Sequence, residues 1–259
     1  MNKILLIGLI LNSFILSAQT KVIAHRGFSS AAPENTMAAF QKAIDVNADC
    51  FELDVRKTKD DSLIVIHDAT VDRTSSNGFK GKVSELNYSE LTKARVGYTE
   101  KFGDKFKDEK IPTLREALML AKGKIKVCIE MKVYGAEDEV YQLLKELNMI
   151  NDVIIFSFHC PVLIKFHHLD KNIKTLYLFN YADKTSIDYA RIIESDYIGV
   201  GYDTKVTPEL VSYAHENNLE LWKWTVDKEE DMKELMNLHI DGIITNFPDV
   251  ALKIRNNRK

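Results

Sequence analysis

The chain predicts an α/β fold: a closed (β/α)8 barrel of the TIM type, with a β-hairpin and a small insertion after the second strand. Eight short apolar, β-branched runs alternate with stretches of helical period, and 259 residues suit one such barrel. No Gly-x-Gly-x-x-Gly follows any of these runs, which counts against an open dinucleotide-binding sheet. Only Lys57 to Ser62 separate the second run from the next extended stretch, Leu63–His67. A parallel crossover needs about a dozen residues, so that stretch must return antiparallel, as a hairpin.

The elements follow in order. Lys3 gives a positive start, Ile4 to Leu16 is mostly apolar, and Leu16-Ser17-Ala18 ends on small residues. Residues 1–18 therefore read as a secretory signal peptide, too short for a comfortable membrane span. The mature chain, 19–259, is expected to be exported, periplasmic or secreted, without stable membrane insertion. Strands are expected at Lys21–Arg26, Cys50–Arg56, Ile125–Lys132, Val153–Phe158, Thr175–Phe179, Tyr197–Val200, Leu219–Val226 and Gly242–Thr245. Pro33 is expected to open a helix with Glu34 in its first turn and Phe40, Ala43 and Ile44 as its buried stripe; Glu34, Asn35 and Thr36 would stabilise that start. The stretch 69–110, rich in Gly, Ser, Asn and charge, reads as an insertion over the barrel mouth. Thr113 to Glu116 forms a capping box, and Gly123 closes the helix it opens. Thr207-Pro208-Glu209 starts another helix, and the histidines of Phe166-His167-His168 read as a solvated helix face.

A formal charge of −3 and a pI near 6.2 offer no basic surface for nucleic acid, so any phosphate site must be local. Alternate residues of a strand share a face, which puts Glu52 and Asp54 together, and likewise Glu130 and Lys132. Barrel active sites lie at the C-terminal strand ends, where His25, Arg26, Glu52, Asp54, Glu130, Lys132 and Trp224 all fall. Two carboxylates about 4 Å apart repel by roughly 4 kcal/mol at an effective dielectric near 20. A cation removes that cost, and an all-oxygen set selects Mg²⁺ or Ca²⁺ over zinc; a salt-bridge network with Arg26, Lys132 and Arg56 is the structural alternative. His25 and His67 suit an acid–base pair for phosphoester cleavage. Arg26 and Lys132 suit phosphoryl oxygens. Trp224 fits core packing and a substrate wall equally well. Cys50 and Cys128 should point into the barrel one layer below the carboxylates as buried, inert thiols, while the pattern assigns no redox state to Cys50, Cys128 or Cys160. Among these site residues no Ser or Cys stands beside a base, so the attacking oxygen comes from water or substrate.

These residues also carry a family pattern. His25-Arg26-Gly27 is followed by Pro33 to Thr36, Glu52 to Asp60, Ile66 to Thr74, Ile111 to Glu116, Ile129 to Lys132, Thr207 to Val211, Trp224 to Val226 and Asp241 to Asp249. The series resembles the glycerophosphodiester phosphodiesterase family over nearly the whole chain after the first twenty residues. Asp61-Ser62 departs from the family's usual glycine, at the hairpin tip and away from any catalytic position. Asp68, Asp72 and Arg73 match the pattern too, and read equally well as a salt-bridged turn. The resemblance implies a metal held by Glu52, Asp54 and Glu130. It implies hydrolysis of small-molecule glycerophosphodiesters to glycerol 3-phosphate and an alcohol such as choline, ethanolamine or glycerol, with attack by the substrate's own glycerol 2-hydroxyl. The rivals are a lysophospholipase D or cell-envelope phosphodiesterase on the same barrel, favoured by a long apolar groove under the insertion, and a non-catalytic phosphodiester-binding protein. The latter would lack a histidine or carboxylate of the set, and none is missing.

Overall fold

A computed structural model describes residues 19–258; the leader expected at 1–18 lies outside them. In chain order the described strands are β1 (Lys21–Ala24), β2 (Cys50–Lys57), β3 (Leu63–Val65), β4 (Lys126–Met131), β5 (Val153–Ser157), β6 (Lys174–Phe179), β7 (Tyr197–Val200), β8 (Glu220–Lys223) and β9 (Gly242–Thr245). All but β3 run parallel, and β1 pairs with both β9 and β2, which closes an eight-stranded (β/α)8 barrel. The expected fold class is therefore the observed one.

The hairpin is also as expected, and it solves an edge problem. β2 is the longest strand of the barrel. Its first residues pair with β1, Cys50 opposite Ile23 and Phe51 opposite Ala24. Its last residues pair antiparallel with β3, Val55 opposite Val65 and Lys57 opposite Leu63. β3 thus takes the place of β1 where β2 rises above the rim, so the backbone groups of β2 stay paired. β1 stops at Ala24, short of the expected Arg26, because Arg26 and Gly27 both turn to positive φ, 54° and 78°. Gly27 is obligatory there: a Cβ would lie 2.7 Å from the backbone of Ala39.

The first helix is Met37–Asp45, later than Pro33 suggests. Asn35 takes a left-handed φ of 56°, and Thr36 caps the helix by accepting a hydrogen bond from Ala39 N at 3.2 Å. Phe40 and Ala43 are buried, and the Phe40 ring stacks on Phe51 of β2 with 4.5 Å between centroids. That contact fixes the helix against the outer face of the carboxylate strand. The expected caps at Thr113 and Thr207 are both present. Of the two histidines expected on a solvated face, His168 is exposed, but His167 is buried beside Phe166, with its Nε2 3.1 Å from Thr175 Oγ1. Their helix follows β5 and lays that face on the sheet.

Inside the barrel Ile23, Cys50, Cys128, Ile154, Phe156, Leu176, Leu178, Trp222 and Ile244 form one apolar plug. It floors the mouth and shuts water out from below, as the side-chain layers of such barrels do. Residues of the 69–110 stretch build a smaller cluster of their own, Val71, Val83, Leu91, Ala94 and Val96, against Ile64 and Ile66 of the hairpin.

Candidate active site

Strand parity carries the carboxylates to the mouth. Asp54 lies opposite Glu130 in the parallel register of β2 and β4, with Glu52 one layer lower. Glu52, Asp54 and Glu130 each offer an oxygen within 4.8 Å of the others. Glu52 and Asp54 are buried, and Glu130 is partly exposed to the cavity. Their partners are asymmetric. The Arg26 backbone N–H donates to Glu52 Oε2 at 2.8 Å, whereas Glu52 Oε1 is buried with no partner. Asn35 Nδ2 donates to Asp54 Oδ2 at 2.7 Å, and Lys132 Nζ stands 3.1 Å from Asp54 Oδ1 and 2.6 Å from Glu130 Oε1.

Two cations, Arg26 and Lys132, face three carboxylates. Burial, with Asp54 and Glu130 alongside, pushes Glu52 well above the usual carboxylate range. Burial and Asp54 raise Glu130 to about 7 against the pull of Lys132. Burial would raise Asp54 as well, but Lys132, Arg26 and His67 hold it at about 2. Fully ionised, the trio would carry one more negative charge than its own lysine and arginine neutralise, and Glu52 Oε1 has no partner among the described residues. That is the donor set of a hard divalent cation, which would replace protons on Glu52 and Glu130.

The two histidines sit across the same cavity. His25, just past β1, directs Nδ1 to Asn246 Oδ1 at 2.8 Å, and burial with the neighbouring Arg26 lowers it to about 4. His67 is carried to the rim by the hairpin: Ile66 N donates to Asp54 O at 3.0 Å, and Arg56 Nε to His67 O at 2.9 Å. Its Nδ1 lies 2.7 Å from Asp68 Oδ1. Arg73 donates to Asp68 Oδ2 at 2.6 Å and through its other nitrogens to Glu34, which in turn accepts from Arg26 Nη1 at 2.9 Å. One ion chain therefore runs from the histidine support to the guanidinium in the mouth.

The cavity between them, about 260 Å³, is two-sided. His25, Arg26, Glu52, His67, Glu130 and Lys132 make one wall; Phe156, Phe158, Leu178, Trp224 and Ile244 make the other. Trp224 follows β8 rather than lying within it, packs edge-on to Phe158 at 5.5 Å, and keeps Nε1 buried without a partner. Every residue singled out from the sequence for this site lines one cavity or holds a residue that does.

Sequence reasoning missed Glu34, Asn35, Asn246 and Asn180. Glu34 and Asn35 were expected to support a helix; instead Glu34 tethers Arg26 and Asn35 holds Asp54. Asn35 has a legible signal, being a residue type that tolerates the left-handed region directly before a cap. Arg73 proves to be more than a turn, since it bridges Glu34 and Asp68.

Among the described residues no helix is long and apolar enough to cross a membrane. A model of the glycerophosphoryl diester phosphodiesterase family matches residues 25–250. A glycerophosphodiester phosphodiesterase of Caldanaerobacter subterraneus subsp. tengcongensis is 39% identical over 242 residues, 91% of this chain and 98% of its own. One from Bacillus altitudinis is 34% identical over 256 residues, 93% of this chain and 100% of its own. A solved glycerophosphodiester phosphodiesterase of Agrobacterium tumefaciens superposes with a TM-score of 0.77 at 28% identity, covering 90% of this chain and 99% of that one. An Oleispira antarctica phosphodiesterase, solved with sn-glycerol-3-phosphate, shares the fold at a TM-score of 0.82 and 22% identity, over 92% and 97% of the two chains. With the barrel, the acidic trio and matches of this extent, the chain belongs to the glycerophosphoryl diester phosphodiesterase family of enzymes.

Proposed function

We propose that this protein hydrolyses glycerophosphodiesters to glycerol 3-phosphate and an alcohol, with His25 as base, His67 as acid and a divalent cation, Mg²⁺ or Ca²⁺, on Glu52, Asp54 and Glu130. The observation that carries the reading is one small cavity lined by both histidines, Glu52 and Glu130, with the buried Asp54 within 4.8 Å of those two carboxylates. The cation would neutralise phosphoryl charge and acidify a bound hydroxyl.

The histidines divide the proton work. Behind His25 stands a neutral amide, and burial lowers it to about 4, so its ring is free to accept a proton near neutrality. Burial, with Arg26 and Lys132, lowers His67 too, but Asp54 and the Asp68 carboxylate behind the ring, held at about 2 by Arg73, oppose that and favour the protonated form. His25 removes the proton of the attacking hydroxyl; its oxygen forms the new bond to phosphorus as the bond to the leaving alcohol breaks. His67 gives its proton to that alcohol. Arg26 and Lys132 hold the phosphoryl oxygens, and the unpartnered Trp224 Nε1 suits a glycerol hydroxyl against the Phe158 ring.

The attacking group is the substrate's glycerol 2-hydroxyl, giving a cyclic phosphate that water then opens with the histidine roles reversed. An adjacent hydroxyl reaches effective molarities of about 10⁵–10⁸ M, so the enzyme need only orient it and take its proton. A substrate with hydrogen in place of that hydroxyl should bind but scarcely turn over. Comparable kcat for the two substrates would contradict internal attack and assign the step to water. Export by a leader at 1–18 belongs to the same proposal.

A further inference from the structure

The polar chain behind His25 runs on past the Asn246 amide. Asn246 follows β9 and Asp227 follows β8, on adjacent loops. Asp227 Oδ2 accepts from Asn246 Nδ2 at 2.6 Å, and Asp227 Oδ1 accepts from Asn246 N at 2.9 Å and Thr245 Oγ1 at 3.1 Å. On its other side, Asn246 Oδ1 faces His25 Nδ1 at 2.8 Å and accepts from Ser29 Oγ at 2.6 Å.

An amide can present either its oxygen or its NH₂ group to a neighbour, and the network decides which. A carboxylate only accepts, so Asp227 demands the NH₂ group of Asn246. The amide oxygen is then committed to His25. An oxygen cannot donate, so His25 Nδ1 must carry the ring proton, and the Nε2 lone pair is left free. Were the amide reversed, its oxygen would face the Asp227 carboxylate, and its NH₂ group would force the proton of His25 onto Nε2.

We propose that Asp227 is a positioning residue that, through the Asn246 amide, fixes the tautomer of His25 so that Nε2 is the proton-accepting nitrogen. This rests on the assignment of His25 as base, and it extends that role to an exposed side chain touching neither substrate nor His25. In the Asp227→Asn variant the new amide can accept or donate, so the lock on Asn246 is lost while size is kept.

The direct readout is the ¹⁵N spectrum of histidine-labelled protein, with His25 identified by its loss in His25→Gln. His25 should be a single Nδ1–H tautomer in the unaltered protein and a mixture in Asp227→Asn. The same variant should lose about 10- to 100-fold in kcat, the scale seen when an imidazole's outer partner is removed. KM should hold, and Asp227→Glu, which keeps an acceptor-only group, should recover the Nδ1–H tautomer. A predominant Nε2–H tautomer in the unaltered protein overturns the proposal without any variant. So does an unchanged tautomer and kcat in a folded Asp227→Asn. The spectrum is read without turnover, so failure of the glycerophosphodiester reading would appear separately, as absent hydrolysis by a protein whose His25 tautomer is still fixed.

Discussion

His25 and His67 differ in what stands behind Nδ1, an amide in one case and an arginine-held carboxylate in the other. That difference separates their duties and can be tested by the leaving group. A nitrophenolate departs without a proton, so an acid is dispensable for it and a base is not. His67→Ala should lose about 10²–10⁴-fold in kcat on glycerophosphocholine and, on a glycerophospho-nitrophenyl ester, recover most of it in the ring-closing step, read as a burst of nitrophenolate, while opening of the cyclic phosphate stays slow. His25→Ala should stay impaired on both. Equal recovery of the two variants would contradict the assignment. Arg26 illustrates a second economy of this site. Its backbone N–H fixes Glu52, its Nη1 binds Glu34, and its Nε lies 3.5 Å from Asp54 Oδ2, so one residue orients two carboxylates and still faces the cavity.

Element by element, the strands deliver the site and the turns finish it. The register of β2 with β4 sets Cys128 opposite Glu52 and Cys50 opposite Lys126. The thiols are thus offset by two residues on strands that rise about 3.3 Å per residue and lie about 4.8 Å apart. Their α-carbons fall beyond the about 7 Å that a disulfide spans. Cys50 and Cys128, free and buried, should therefore react with a thiol reagent only after unfolding, by mass spectrometry, even when the protein is made under oxidising conditions. A native mass two hydrogens short, with the link mapped to this pair, would contradict the register. The same alternation explains what was legible beforehand. Period-two burial marks Glu52, Asp54 and Glu130 as one face, and the short 57–62 connection forces the hairpin that brings in His67. What stayed illegible depends on single backbone torsions and on loops meeting across the mouth. The positive φ of Asn35 turns a helix-start motif into a ligand for Asp54, and Asn246 lies 221 residues from its histidine. The 69–110 stretch reads as charge-rich loop, yet Arg73 from it reaches the rim through Glu34 and Asp68.

For the molecule as a whole, a formal charge of −3 leaves attraction of an anionic phosphodiester to the mouth itself. The plug below the cavity holds the site at low dielectric, where Arg26 and Lys132 act strongly on a phosphoryl group and an uncompensated carboxylate is costly. The acidic trio with its orphaned Glu52 oxygen is therefore the feature on which the account depends most. The direct test is release of glycerol 3-phosphate from glycerophosphocholine by purified mature protein, before and after prolonged dialysis against excess EDTA. Turnover should vanish on chelation and return with Mg²⁺ or Ca²⁺, and Glu52→Gln should not be rescued by either ion. Undiminished turnover after chelation, or full activity of Glu52→Gln, would contradict a cation held by Glu52, Asp54 and Glu130.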